Sequence, residues 1–309
     1  MATRIIIFAP SYSDQSGGVL VLHKLSHLFN CLGYESYIYR DYESYLINRE
    51  NILKPLGKVL ESYLKLKFTN KYKLNPDFNT KLFEGDKSEI TDQDIVVYPD
   101  IVKGNPLNSS NVVRWMLHKP GYMRGFATFT PGEMYFDYEN YLEGFSLPGS
   151  RISTNKLFIP NNRLDTYNLH NAVNFSERRG QAYLVRKGRG KKFVHEPDAI
   201  QIDGLAHEEI ANVFKRVKTF ISYDVYSYFS KYAVLCGADS VVIPDDGLDK
   251  YSWLTNEESR LGVAYGFDDL DYSRATSSLF RERALTQEEE ALSKIKLAYA
   301  EMIDFFFAK

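Results

Sequence analysis

"RIIIFAP" (Arg4 to Pro10) sets an unbroken apolar run, rich in β-branched residues, directly before a proline, which is the pattern of a buried strand. The polar loop "SYSDQSGG" follows. Next, "VLVLHKLSHLFNCLG" puts Leu22, Leu25, Phe29 and Leu32 on one helical face and stops at Gly33, a helix C-terminal signal. "YESYIYR" is then a second strand. A strand, a helix and a strand in that order favour a parallel sheet and place the chain in the α/β class.

The alternation continues. "DQDIVVYPD" and "NVVRWMLHKPG" each give a polar lead-in, an apolar strand and a Pro or Gly stop, and polar residues stand at the C-terminal ends, where open α/β sheets bind ligands. From Ser146 to Gly180 the pattern loosens. It resumes with "QAYLVRKGRGKKF", "AIQIDGL", the helix-like "HEEIANVFKRV", "KTFISYD", "YSYFSKYAVLCG" and "DSVVIPD". With 309 residues and 44% hydrophobic content, the chain has material for two cores. We expect one domain over residues 1–175 and a second over 176–309. The charged, Tyr-rich stretch from Asp41 to Glu89 reads as an insertion in the first domain. Thr286 and Glu289 fit a capping box opening a last helix, with Leu292, Ile295, Tyr299, Met302 and Phe306 on its apolar face, a face able to pack back on the first domain.

Composition narrows the function. The formal net charge of −2 gives no global attraction for nucleic acid, so anion recognition must be local. No apolar stretch reaches the ~20 residues of a membrane span, and the apolar run after Arg4 is too short for a signal peptide. The expectation is a cytoplasmic protein without a transmembrane segment, which leaves room for a peripheral membrane contact. The two cysteines, Cys31 and Cys236, lie beside apolar residues and are expected to pack as small hydrophobes; no metal-ligand spacing is visible. Most of the 23 Tyr and 20 Phe are expected in the core.

Four places carry side chains suited to chemistry. Asp14, Gly17 and Gly18 lie in the loop before the first helix, where glycines let backbone N–H groups approach a ligand at the positive end of the helix. "VRKGRGKK" sets Arg186, Lys187, Arg189, Lys191 and Lys192 directly after a strand; as a cationic loop it suits a diphosphate, and its alternative is a solvated basic turn. In "YDVYSYFSKYAVLCG" a helix is expected to begin near Tyr226 with Asp224 as N-cap and Phe229, Tyr232, Ala233 and Cys236 buried. Tyr223, Tyr226, Ser227 and Tyr228 exceed what a cap needs, and hydroxyls there are phosphate or sugar ligands. His118, at the end of "NVVRWMLH", is a candidate general base or hydrogen-bond donor. Asp14, Asp100, Glu133, Glu257 and Glu258 are the candidate carboxylates.

Two alternating halves, a glycine loop after the first strand and a basic loop opening the second half resemble the two-domain GT-B-type glycosyltransferases. More narrowly, "NPLNSSNVVRWMLHKPG" and "FISYDVYSYFSKYAVLCGADSVVIP" with "GVAYGFDD" look like glycosyltransferase-like proteins of surface-polysaccharide clusters. The resemblance implies two Rossmann-like domains facing across a cleft. It implies a nucleotide-sugar as substrate, with no cofactor and no metal, and a glycan acceptor. The donor would meet Arg186, Lys187, Lys192, Tyr223, Asp224, Tyr226, Ser227 and Tyr228, with Gly17 and Gly18 facing from the first domain and His118 near the sugar. Many retaining members carry a Glu-x7-Glu pair; here Asp224 and Tyr232 stand in that stretch, so inverting and retaining chemistry both stay open, as do hexosyl and pentosyl transfer. The rival expectations are a nucleotide-sugar epimerase or hydrolase on the same fold, and a non-catalytic glycan- or nucleotide-binding subunit.

Overall fold

A computed structural model describes residues 3–13, 16–41, 57, 60, 61, 64, 72–121 and 129–308. The chain divides into two units, Met1–Asn161 with Glu289–Lys309, and Asn162–Glu288. In the first, β1 (Arg4–Ala9), β2 (Glu35–Arg40), β3 (Ile95–Pro99), β4 (Val112–Met116), β5 (Met134–Asp137) and β6 (Arg151–Ile152) form a sheet of order β2-β1-β3-β4-β5-β6. All of its pairings are parallel. The strands are apolar throughout because both faces are covered. Ile5 and Ile7 pack with α1 (Gly17–Cys31), while Ile6 and Phe8 pack on the other side with Val96, Tyr98 and Phe83.

The second unit repeats the plan. Its strands β7 (Gln181–Leu184), β8 (Ile200–Gln201), β9 (Thr219–Ser222), β10 (Asp239–Val242) and β11 (Val263–Tyr265) run parallel in the order β11-β10-β9-β7-β8. The helices α2 (His207–Phe214) and α3 (Phe229–Leu235) contribute Ile210, Phe214, Phe229 and Tyr232 to its core. Counted within each unit, both sheets follow one order: the first strand lies between the second and the third. The chain therefore reverses its direction of growth between β1 and β3, and again between β7 and β9. The α/β class and the two Rossmann-like sheets expected from the alternation are present.

Four expectations need correction. The division falls after Asn161 and not near 175, because the polar segment that follows is anchored in the second core: Tyr167 stacks on Tyr232 at 4.0 Å, and Arg178 donates to the carbonyls of Val173, Phe214 and Cys236. After two short helices, α4 (Lys250–Trp253) and α5 (Glu257–Arg260), the last helix α6 is one element, Leu270–Phe307. Thr286 therefore lies inside it and caps nothing. Its buried stripe takes Phe280 and Ala284 into the second unit's core and Ala291, Ile295, Ala298 and Met302 into the first's; Leu292 is exposed. Cys31, at the last turn of α1, is exposed, whereas Cys236 is buried. Of the 41–89 stretch, the described part from residue 72 packs into the first unit: Leu82 bridges Ile38 of β2, and the Tyr72 hydroxyl donates to the carbonyls of Ala9 and Pro10.

Candidate functional site

The carboxyl end of a sheet at such a reversal leaves a crevice, because neighbouring connections leave in opposite directions. In the second unit this crevice lies between the loops after β7 and β9, which are the two segments the sequence singles out. The loop after β7 is held rigidly. The Asp203 carboxylate accepts from the backbone N–H of Val185 at 2.9 Å and of Arg186 at 3.0 Å, and Arg186 takes a left-handed φ of 38°. Gly188 lies against the next loop so closely that a Cβ there would stand 2.2 Å from the Tyr223 carbonyl oxygen. Lys191 is tied down to Asp245 and the Ile243 carbonyl, both at 2.6 Å.

Tyr223 completes the clamp. It is fully buried, and its hydroxyl accepts from the Val194 N–H at 2.7 Å and lies 2.8 Å from the His195 Nδ1. Tyr223, expected from the sequence among the donor ligands, has its hydroxyl engaged by Val194 and His195. Asp224 is corrected likewise. The helix begins at Phe229 with Tyr228 in the cap position, and the Asp224 carboxylate accepts from the Tyr226 N–H at 3.2 Å in a tight turn. Tyr228 donates to Asn162 at 2.7 Å, and Tyr226 packs half-buried against the core.

The groups left to face a ligand are cationic and hydroxylic. Lys187, Arg189 and Lys192 are exposed. The Arg186 guanidinium lies 5.6 Å from the Phe229 ring, which brings its charge to the start of α3. There the Ser227 and Ser230 hydroxyls are buried and have no hydrogen-bond partner among the described residues. A buried hydroxyl without a partner costs on the order of 1–3 kcal/mol; an acceptor arriving with a ligand removes that cost. Sequence reasoning missed Ser230, because it falls inside the helical pattern, and Asp203, which touches only backbone.

The first unit's crevice lies between the loop after β1 and the end of β3. Asp14 lies outside the described residues. Gly17 and Gly18 are the first residues of α1, a 15-residue helix whose N-cap Ser16 makes no side-chain cap bond and whose first turn holds no acid, so within that turn no carboxylate offsets the helix's positive end. A Cβ on Gly18 would meet Leu117 at 3.9 Å, which sets the glycine pair beside the end of β4 and His118. The His118 Nδ1 accepts from the Lys119 N–H at 2.7 Å, and its ring stacks on Tyr141. That contact favours the neutral tautomer with its proton on Nε2, a hydrogen-bond donor.

The neighbouring carboxyl is better suited to proton transfer. Burial pushes Asp100 up to about 7, against the opposing pull of backbone N–H groups that include those of Leu117 and His118. Glu133 has another task. Although burial acts to raise its pKa, hydrogen bonds from the wholly buried Arg114 hold it below the ordinary value, and the pair fastens β4 to the segment before β5. Glu257 and Glu258 open the short helix α5, where Glu258 meets Arg283.

No family profile matches the chain, and no curated protein is similar to it in sequence. Among solved structures it is similar to a glycosyltransferase from Rickettsia africae ESF-5, with a TM-score of 0.48 and 9% identity over 100% of both chains. It is also similar to an alpha-glucosyltransferase in complex with UDP and a 13-mer DNA containing a HMU base (0.45, 10% identity, 99% of this chain and 100% of that one). A third likeness is to a putative UDP-N-acetylglucosamine 2-epimerase from Listeria monocytogenes (0.44, 10% identity, 100% and 98%).

Proposed function

We propose that this chain is a glycosyltransferase that moves a sugar from a nucleotide-diphosphate donor to a hydroxyl of a glycan acceptor in surface-glycan synthesis. One observation carries the reading. At the second unit's crevice, a rigid loop holds Arg186, Lys187 and Lys192 at the carboxyl edge, and two buried hydroxyls without partners, Ser227 and Ser230, stand at the neighbouring turn. Cations with hydroxyl donors suit a diphosphate, and they stabilise it most when it leaves with developing charge. We assign the donor to this edge.

The acceptor is assigned to the first unit's edge. Asp100, titrating near neutrality, takes the acceptor proton in this reading, and His118 donates from Nε2 to a sugar oxygen. A base with a pKa close to working pH is best placed to be both ionised and basic. Charge on the leaving group is met by side-chain cations, so the reading asks for no metal. The missing Glu-x7-Glu pair supports a second reading, a binding subunit that holds the donor without turnover.

The experiment is a thermal-shift series with UDP, GDP, CDP and dTDP and their sugars, repeated on Lys187→Ala and on Ser227→Ala. A ligand at 100 times its Kd stabilises by about 2.7 kcal/mol, so one nucleotide should stand out and both variants should weaken it. Binding with no transfer to any acceptor would favour the subunit. No shift with any nucleotide would sink both readings.

A further inference from the structure

The opposite edge of the second sheet holds a pocket of about 550 Å³ that the proposed chemistry does not use. It lies where the chain enters the strands, between the segment before β7, the start of β10 and the first turns of α6. Arg178, Arg274 and Arg281 line it, with Asp239 as its one carboxylate. Arg178 is buried, and its hydrogen bonds go to the carbonyls of Val173, Phe214 and Cys236. Arg281 reaches a single carbonyl, that of Val234, at 3.3 Å. Of the three, Arg274 is the one in a salt bridge, pairing with Asp239 at 2.7 Å. Among the residues that line the pocket, three cations stand against one anion.

Carbonyl oxygens satisfy the N–H groups of an arginine without cancelling its charge, and burial makes uncancelled charge costly. Burial lowers the pKa of both Arg178 and Arg281, outweighing the opposing pull of Asp239 on the first and of Glu282 on the second. A planar fork of N–H donors suits phosphate oxygens. The pocket wall is of another kind: Leu169 and Phe175 border it with 51% and 41% of their surface exposed. Gly237 keeps the space open, because a Cβ there would lie 2.9 Å from Leu169 and 3.1 Å from the Arg178 guanidinium.

We propose that this pocket binds a phosphate monoester whose organic part is apolar, with the phosphate on Arg281 and Arg274 and the apolar part on Leu169 and Phe175. The phosphate's two negative charges match the excess of two cations over carboxylates in the pocket lining. The inference is independent of the donor-site reading, since the residues involved are different and stand at the other end of the strands.

The test is calorimetric titration of the full chain with phenyl phosphate and with inorganic phosphate. It compares the wild type with Arg281→Gln, Arg281→Lys and a Lys187→Ala, Lys192→Ala double variant, with thermal melts of each to verify folding. Phenyl phosphate should bind several-fold more tightly than inorganic phosphate. Arg281→Gln should weaken it at least tenfold, Arg281→Lys should retain most of the binding, and the double lysine variant should bind as the wild type does. Unaltered binding in Arg281→Gln would overturn the proposal. So would loss in the lysine variant alone, which would move the phosphate to the other edge, and so would absence of binding at millimolar ligand.

Discussion

Asp100→Asn separates two consequences of one half-buried carboxyl. Its pKa stands at about 7 against an ordinary 3.8 because burial disfavours the ionised form. A gap of about three pH units, at ~1.4 kcal/mol for each, gives about 4 kcal/mol as the upper size of the effect. Its sign follows from proton binding. The folded chain holds the proton more tightly than the unfolded chain, so this stability is complete below pH ~4, falls as the pH rises and is gone above pH ~7. Asparagine does not titrate, so the variant's stability relative to wild type should climb by up to about 4 kcal/mol between pH 4 and pH 8. Urea unfolding followed by Trp115 fluorescence in a Trp253→Phe background reads this in the correct unit, since Trp115 is buried and its carbonyl accepts the Asp100 N–H. Parallel stability curves for the two proteins would refute the argument from burial. In a transfer assay the same substitution should also abolish the limb of the rate profile near pH 7 that the proposed base produces.

Gly188→Ala should destabilise the second unit by about 2 kcal/mol or more, because the new Cβ would collide with the Tyr223 carbonyl; such steric insertions belong to the large-effect class, and a drop in thermal midpoint measures it. Tyr223→Phe strips the acceptor from the Val194 N–H at a cost of about 1–3 kcal/mol, so hydrogen exchange at Val194 and His195 should accelerate while distant core amides keep their rates. Glu133→Gln leaves the fully buried Arg114 guanidinium without its counter-charge, a loss of about 3–5 kcal/mol that a urea midpoint will show.

The strands were written in the chain. Ile5 to Ala9, Ile95 to Tyr98 and Val241 to Val242 lie in sheets buried on both faces, so each reads as an apolar run whatever its neighbours. Helix α1 was equally plain, with its apolar stripe and Gly33 at a φ of 83° beyond its end. Helix α6 was half legible. Leu279, Leu285, Leu292 and Leu297 are exposed off the buried stripe and blur its period, and the polar opening of the helix hides its start.

The basic loop was visible as composition, and so was the Tyr-Ser cluster after β9. Their division of labour was not. That the Tyr223 hydroxyl meets Val194 and His195, some 28 residues away, and that the His118 Nδ1 meets a backbone N–H, could not be read from the order of residues. Asp100 looks like any carboxylate in the sequence; only the packing around it takes away the water that keeps such a group acidic. The pattern of apolar residues determined which segments become strands, because burial of a strand depends on its own side chains. Strand order, the two crevices and the protonation of the groups beside them depend on which distant segments meet, and that was decided by the tertiary structure alone.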